Sequence, residues 1–154
     1  MLRKIISILI AVTITVTLGI GLCACGEKPQ TATIKLDSNA STGYAWTASQ
    51  TITDNAGESH CFEISDEYVE PENTGGLVGV PGQQVFTLKA HEEGKVDVKF
   101  VYSRSWDPSE EDTYVTYQFE VDKDLQIVCT GSGMGYEDGS ILETYDNPPE
   151  PVIE

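Results

Sequence analysis

The strongest constraint in this chain is a period of two. Val96, Val98, Phe100 and Tyr102 alternate with Lys95, Asp97 and Lys99, and Val115, Tyr117, Phe119 and Val121 alternate with Thr116, Gln118 and Glu120. Shorter stretches repeat the pattern at Ala32, Ile34 and Leu36, at Tyr44 and Trp46, at Phe62 and Ile64, and at Phe86, Leu88 and Ala90. Successive side chains of a strand point to opposite faces, so this alternation sets an apolar face against a core and a polar face in water. Half-buried strands of that kind belong to antiparallel sheets. No segment after the N-terminal region shows a helical period. Roughly a hundred residues of short strands between turn signals predict an all-β protein, an immunoglobulin-like antiparallel β-sandwich of about seven strands. The antibody-type Cys…Trp…Cys spacing is absent, so the pattern concerns architecture alone.

The N-terminus reads as an address. Arg3 and Lys4 precede an uncharged apolar run from Ile5 to Leu22. This is the layout of a secretory signal, and the run is also long enough to be weighed as a membrane-spanning helix. Its exit, Leu22-Cys23-Ala24-Cys25-Gly26, resembles a bacterial lipobox, in which a small residue precedes the cysteine that is lipidated. Ala24 fits that position before Cys25, whereas Leu22 fits it badly before Cys23. The expectation is a signal peptide over 1–24, a lipidated Cys25 within an anchor and spacer over 25–30, a folded domain over 31–128 and a disordered acidic tail over 129–154. The tail holds Gly131, Gly133, Gly135 and Gly139 and then Asn147-Pro148-Pro149-Glu150-Pro151, with Ile141-Leu142 able to dock on the domain. Such a lipoprotein sits on the extracytoplasmic face of a bacterial cell membrane, attached through lipid only.

A formal net charge of -16 makes the chain repel phosphate backbones, and nothing basic is clustered to offset that, so no nucleic acid is expected as a partner. Only His60 and His91 are available as imidazoles. No metal-ligand spacing accompanies them, and no nucleophile with a base is evident, so neither a metal site, a cofactor nor an enzyme is expected. An exported protein permits a disulfide between Cys61 and Cys129, the other reading being two thiols.

If each strand runs opposite to its predecessor, alternate connections share an end of the sandwich. Asp37–Gly43, Asp66–Gln83 and Ser103–Asp112 then fall at one end, and Gln50–His60 with the His91–Gly94 turn at the other. The unusual residues belong to the first set. Loops on a rigid scaffold are the usual place for binding. Asn39 and Ser41 can cap a turn that Gly43 closes. The glycines Gly75, Gly76, Gly79 and Gly82 allow close backbone approach or simple flexibility. Trp106, beside Arg104, is either a lid on the core or an exposed contact residue. Ser109-Glu110-Glu111-Asp112 reads as a solvated acidic turn.

Together the three loops resemble the chagasin family of inhibitors of papain-like cysteine peptidases. The family's Asn-Pro-Thr-Thr-Gly-Tyr/Phe-x-Trp loop matches Asn39-Ala40-Ser41-Thr42-Gly43-Tyr44-Ala45-Trp46. Its Gly-x-Gly-Gly stretch matches Gly79-Val80-Pro81-Gly82, and its Arg-Pro-Trp/Phe loop matches Arg104-Ser105-Trp106. The similarity spans roughly Thr31 to Val128. It implies a monomeric, reversible, non-covalent inhibitor that occludes a peptidase cleft and needs no cofactor. By that resemblance, Asn39, Ser41, Thr42, Gly43, Gly79, Val80, Gly82, Arg104 and Trp106 bind the peptidase, with Thr42 foremost over the catalytic pair. Three positions depart from the pattern: Ala40 and Ser105 replace prolines, and Pro81 replaces a glycine. Losing two prolines raises the entropy surrendered on binding, and Pro81 removes a backbone donor. The competing expectation is an immunoglobulin-like surface lipoprotein that binds another protein without inhibiting a peptidase.

Overall fold

Each alternating run is a strand in the computed structural model, which describes residues 28–53, 60–71, 75, 79–140 and 147–154. In chain order the strands are β1 (Thr31–Ser38), β2 (Ala45–Ile52), β3 (Phe62–Val69), β4 (Gly82–Ala90), β5 (Gly94–Ser103), β6 (Thr113–Val121), β7 (Ile127–Tyr136) and β8 (Val152–Ile153). A single turn of 3-10 helix, Ala40–Thr42, interrupts the β1–β2 connection. The strands form two four-stranded sheets in the orders β3-β4-β1-β8 and β2-β5-β6-β7, and every pairing is antiparallel. The all-β sandwich expected from the period of two is therefore the fold.

Alternate residues of both sheets meet in the middle. Ile34, Leu36, Phe86, Leu88, Val96, Val98, Phe100, Val115, Tyr117 and Phe119 are all buried there. The aromatic rings interlock edge to face, Phe86 against Phe100 at 4.7 Å and Phe62 against Phe119 at 5.4 Å between centroids. That arrangement suits the ring quadrupoles and adds to the burial energy.

Three glutamines solve the problem of unpaired backbone at the sheet edges. Strand β2 is an edge strand, yet Trp46 donates its N–H to Gln84 Oε1 (2.9 Å) and its carbonyl accepts from Gln84 Nε2 (2.9 Å) across the sandwich. Gln50 returns the favour from β2 to the edge strand β3. It accepts from Phe62 N–H at 3.1 Å and donates to Phe62 O at 2.8 Å. Gln30 accepts from Ile127 N–H, at the start of edge strand β7, at 2.7 Å. A primary amide carries a donor and an acceptor side by side, so it can stand in for the missing neighbour strand.

The expectation of a disordered tail from residue 129 is corrected over the described residues. Strand β7 runs on to Tyr136, and Gly131 to Tyr136 pair with β6 past a register shift at Gln118/Phe119 that skips Thr130. Side chains of β6 fill the space above its glycines, Gln118 over Gly131 and the Tyr114 hydroxyl over Gly135. Further on, Pro148 is buried, and the Pro149 carbonyl accepts from the buried Tyr117 hydroxyl at 2.7 Å. Strand β8 then pairs with β1 at Ala32 and Thr33, and Glu154 exchanges both backbone hydrogen bonds with Thr31. Ile141 and Leu142 lie outside the described residues, as do residues 1–27, the expected signal segment with Cys23 and Cys25.

Of the two readings for Cys61 and Cys129, the structure has the one without a disulfide between them. Cys61 precedes β3, on the side where β2 and β3 are stitched by Gln50. Cys129 lies on β7, at the opposite edge, where it flanks the Pro148–Pro151 segment. Burial raises the thiol pKa of Cys129 above its ordinary value, with a backbone hydrogen bond at Gly131 opposing part of the shift.

Candidate functional site

The three connections expected to share an end do share it. The first begins at Asn39, whose side chain does two jobs. Its Oδ1 accepts from Ser41 N–H (3.2 Å) and Ser41 Oγ (2.6 Å), capping the 3-10 turn, while Nδ2 donates to the Gly79 carbonyl of the second loop at 3.1 Å. The Asn39 N–H donates to the Tyr102 hydroxyl at 3.0 Å, tying the turn to β5. Thr42 closes the turn by donating its hydroxyl to Asn39 O at 2.7 Å. Gly43 then leaves it with φ +78, a left-handed value that glycine adopts without strain.

Gly43 is needed for a second reason. A Cβ at that position would lie 2.5 Å from Trp106 Cη2, so the indole of the third loop rests directly on the glycine backbone. Trp106 is nevertheless 71% exposed, which leaves most of the ring available as a contact surface rather than a lid on the core. Beneath it lies an aromatic stair. Trp46 packs on Tyr102 at 4.9 Å, Tyr102 on Tyr44 at 5.2 Å, and the Arg104 guanidinium covers Tyr44 at 4.5 Å. The other end of the third loop is held by Asp112, only 5% exposed, whose Oδ2 accepts from Ser109 N–H at 2.8 Å. Asp112 is therefore a buried bracket, which corrects its reading as part of a solvated turn.

The second loop meets the first through Gly79 and meets β3 through Gly82. The Gly82 N–H donates to the Tyr68 hydroxyl at 3.2 Å, and a Cβ there would sit 2.4 Å from the Val69 carbonyl. Between the loops runs a shallow groove lined by Ala40, Ser41, Tyr68, Pro71 and Val80. Gly76 lies outside the described residues.

Of the residues assigned to binding from sequence, Ser41, Thr42, Gly79 and Trp106 are exposed at this end; Asn39, Gly43, Val80 and Arg104 are half-buried and Gly82 is buried. Asn39, Gly43 and Gly82 thus build the surface that the others present. Sequence reasoning missed Tyr68, Tyr102 and Gln84 as supports. Only Gln84 carried a legible signal, a polar residue at an inward position of the Phe86, Leu88 alternation. Both histidines are at the far end, where His91 N–H donates to Cys61 O at 2.8 Å and His60 is the next residue along from Cys61. No cluster of metal-ligating side chains occurs among the described residues.

The sandwich thus braces three loops against one another at one end and carries both imidazoles at the other. The family model described as Chagasin family peptidase inhibitor I42 matches residues 27–121, and the chain belongs to that family. It is a family of peptidase inhibitors, not of enzymes. Amoebiasin-2 from Entamoeba histolytica is 34% identical over 79 residues, which make up 51% of this chain; the match spans 58% of that relative's length. Among solved structures, the chain is 31% identical to the cysteine protease inhibitor EhICP2 from Entamoeba histolytica, with a TM-score of 0.46 over 57% of this chain and 75% of that one. The solution structure of Amebosin is 26% identical, with a TM-score of 0.46 over 59% of this chain and 79% of the other.

Proposed function

We propose that this protein is a reversible, non-covalent inhibitor of papain-like cysteine peptidases that occludes the active-site cleft with its three loops. The observation that carries this reading is the cross-bracing of the loops around Asn39 and Gly43, with Ser41, Thr42, Gly79 and Trp106 left exposed on one surface. A wedge of that kind binds by surface complementarity: exposed Trp and stacked Arg are the residue types that dominate interfaces, and close-approach glycines let backbone meet backbone. Thr42 leads into the cleft over the catalytic Cys–His pair. Gly79 to Gly82 line one side of the cleft, and Arg104 with Trp106 pack on the other. No bond is made or broken and no cofactor takes part. Preformed loops lower the ordering cost of association, which offsets the family prolines missing at Ala40 and Ser105.

Cys25, in its lipobox-like setting, is the proposed lipid attachment point, which puts the inhibitor on the extracytoplasmic face of a bacterial membrane as a monomer. Metabolic labelling with an alkynyl fatty acid tests this, since label retained by Cys25→Ser defeats it. Inhibition is tested by titrating the domain from Gly26 onward against papain and a cathepsin L-type peptidase with a small fluorogenic substrate. Saturable inhibition at nanomolar to low micromolar concentration, lost in a Thr42→Ala/Trp106→Ala double variant, is the expected result. A folded domain that leaves both peptidases untouched at tens of micromolar overturns the reading for those targets and moves weight to a surface protein with another partner.

A further inference from the structure

We propose that the turn Tyr136–Ser140, which lies beyond the family-matched residues, positions the Trp106 loop, with Asp138 as its positioning residue. This inference rests on the third loop being a contact surface of the inhibitor. The pairing of β6 with β7 ends formally at Thr113 and Tyr136, but hydrogen bonding continues past it. Glu137 N–H donates to the Asp112 carbonyl and Asp138 N–H to the Glu110 carbonyl, each at 2.9 Å. Both acceptors belong to the returning limb of the Trp106 loop.

The turn is itself closed tightly. Gly139 N–H donates to Tyr136 O (2.9 Å) and Tyr136 N–H to Ser140 O (3.0 Å). The Asp138 carboxylate accepts from both Ser140 N–H (2.8 Å) and Ser140 Oγ (2.6 Å). Those bonds lower the Asp138 carboxyl pKa, the Ser140 hydroxyl contributing most. Lys99, on β5, completes the brace with an ion pair to Glu137 at 2.7 Å.

From Ser105 to Asp112 the Trp106 loop buries only Asp112, so a brace from outside bears on an exposed span. Ser105 to Glu111 are all exposed. The outgoing limb is closed by an Asp107 N–H to Arg104 O bond at 3.1 Å, which makes Ser105 the second residue of a β-turn. Proline would pre-set that position, and serine does not. The restraint missing from the outgoing limb is supplied to the returning limb by the neighbouring turn.

The test compares Asp138→Ala, Asp138→Asn and Asp138→Ala/Ser105→Pro in the full-length domain. The first readout does not depend on inhibition. The chain has two indoles, Trp46 and Trp106, whose N–H signals are told apart by Trp106→Ala. In Asp138→Ala the Trp106 signal shifts or broadens while that of Trp46 stays in place; Asp138→Asn and Ser105→Pro restore it. The second readout is dissociation from papain, expected to quicken about tenfold in Asp138→Ala and to be unaffected by the same change in a Trp106→Ala background. An unchanged Trp106 signal overturns the proposal, and so does equal disturbance of both indoles, which is general loosening. If the unaltered domain fails to inhibit, the inhibitor reading falls and the indole comparison still decides the role of the turn.

Discussion

In the proposed inhibitor, Trp106 is the residue on which contact would depend most. Its ring is braced underneath by Gly43 and open above, the situation of a hot-spot anchor. Trp106→Ala is expected to weaken peptidase binding by about 2–4 kcal/mol with the melting temperature held, measured as an inhibition constant against papain. Inhibition unchanged by that substitution would take Trp106 out of the interface. Ser105 works in the opposite direction. Its place as the second residue of the Arg104–Asp107 turn suits proline, so Ser105→Pro should stabilise the loop by about 0.4–1 kcal/mol through the unfolded chain. Slower dissociation from the peptidase and a raised melting temperature are the expected signs. The loop motifs that hold Ser105 and Trp106 are legible in the sequence because their spacing is local. The inward turn of Asn39 is not, because its partners Gly79 and Tyr102 lie in other loops and strands.

At the level of elements, the edges decide more than the centre. The inner strands pair on both sides, but β2 depends on Gln84 for a hydrogen-bonded Trp46 peptide. Replacing Gln84 by the similarly sized Met leaves the Trp46 N–H and carbonyl unpaired, and should cost about 2–4 kcal/mol in a urea melt. Gln83 is the built-in control: it reaches only the exposed Asp37 carboxylate, so Gln83→Ala should change stability by under about 0.5 kcal/mol. Equal effects from the two substitutions would refute the stitching role. Strand β7 shows why an element can escape a reading by hydropathy. Gly131, Gly133 and Gly135 carry no side chain, so the apolar period vanishes although Gln118 and Tyr114 from the next strand cover the gaps. Pairing is a property of backbone, and the period of two reports only side chains.

For the molecule as a whole, the C-terminal segment is the closing piece. Buried Tyr117 donates to the Pro149 carbonyl, and beyond it β8 covers the lower edge of β1. Tyr117→Phe is expected to lower stability by about 1 kcal/mol at neutral pH. Burial first, then the nearby Cys129, pushes the phenol pKa far above its ordinary 10.0. The fold therefore holds the neutral form, and the unfolded chain ionises first as pH rises. Stability from this group is complete below about pH 10 and is lost above it. Cys129, raised by burial from 9.0, adds a decline that begins lower. Melting temperatures across pH 9 to 11 should fall in the unaltered protein and fall less steeply in Tyr117→Phe; parallel slopes would remove Tyr117 as the responsible group.

The sequence by itself determined six strands, β1 to β6, the faces they bury and the end at which the three unusual loops gather. Those follow from local periodicity and from the parity of antiparallel connections, neither of which needs coordinates. Tertiary structure alone decided how the loops brace one another, how the edges are stitched, and that residues 129–136 and 152–153 belong to the sandwich. Each of these joins residues far apart in the chain through a hydrogen bond or a shared space, and such contacts have no period along a sequence.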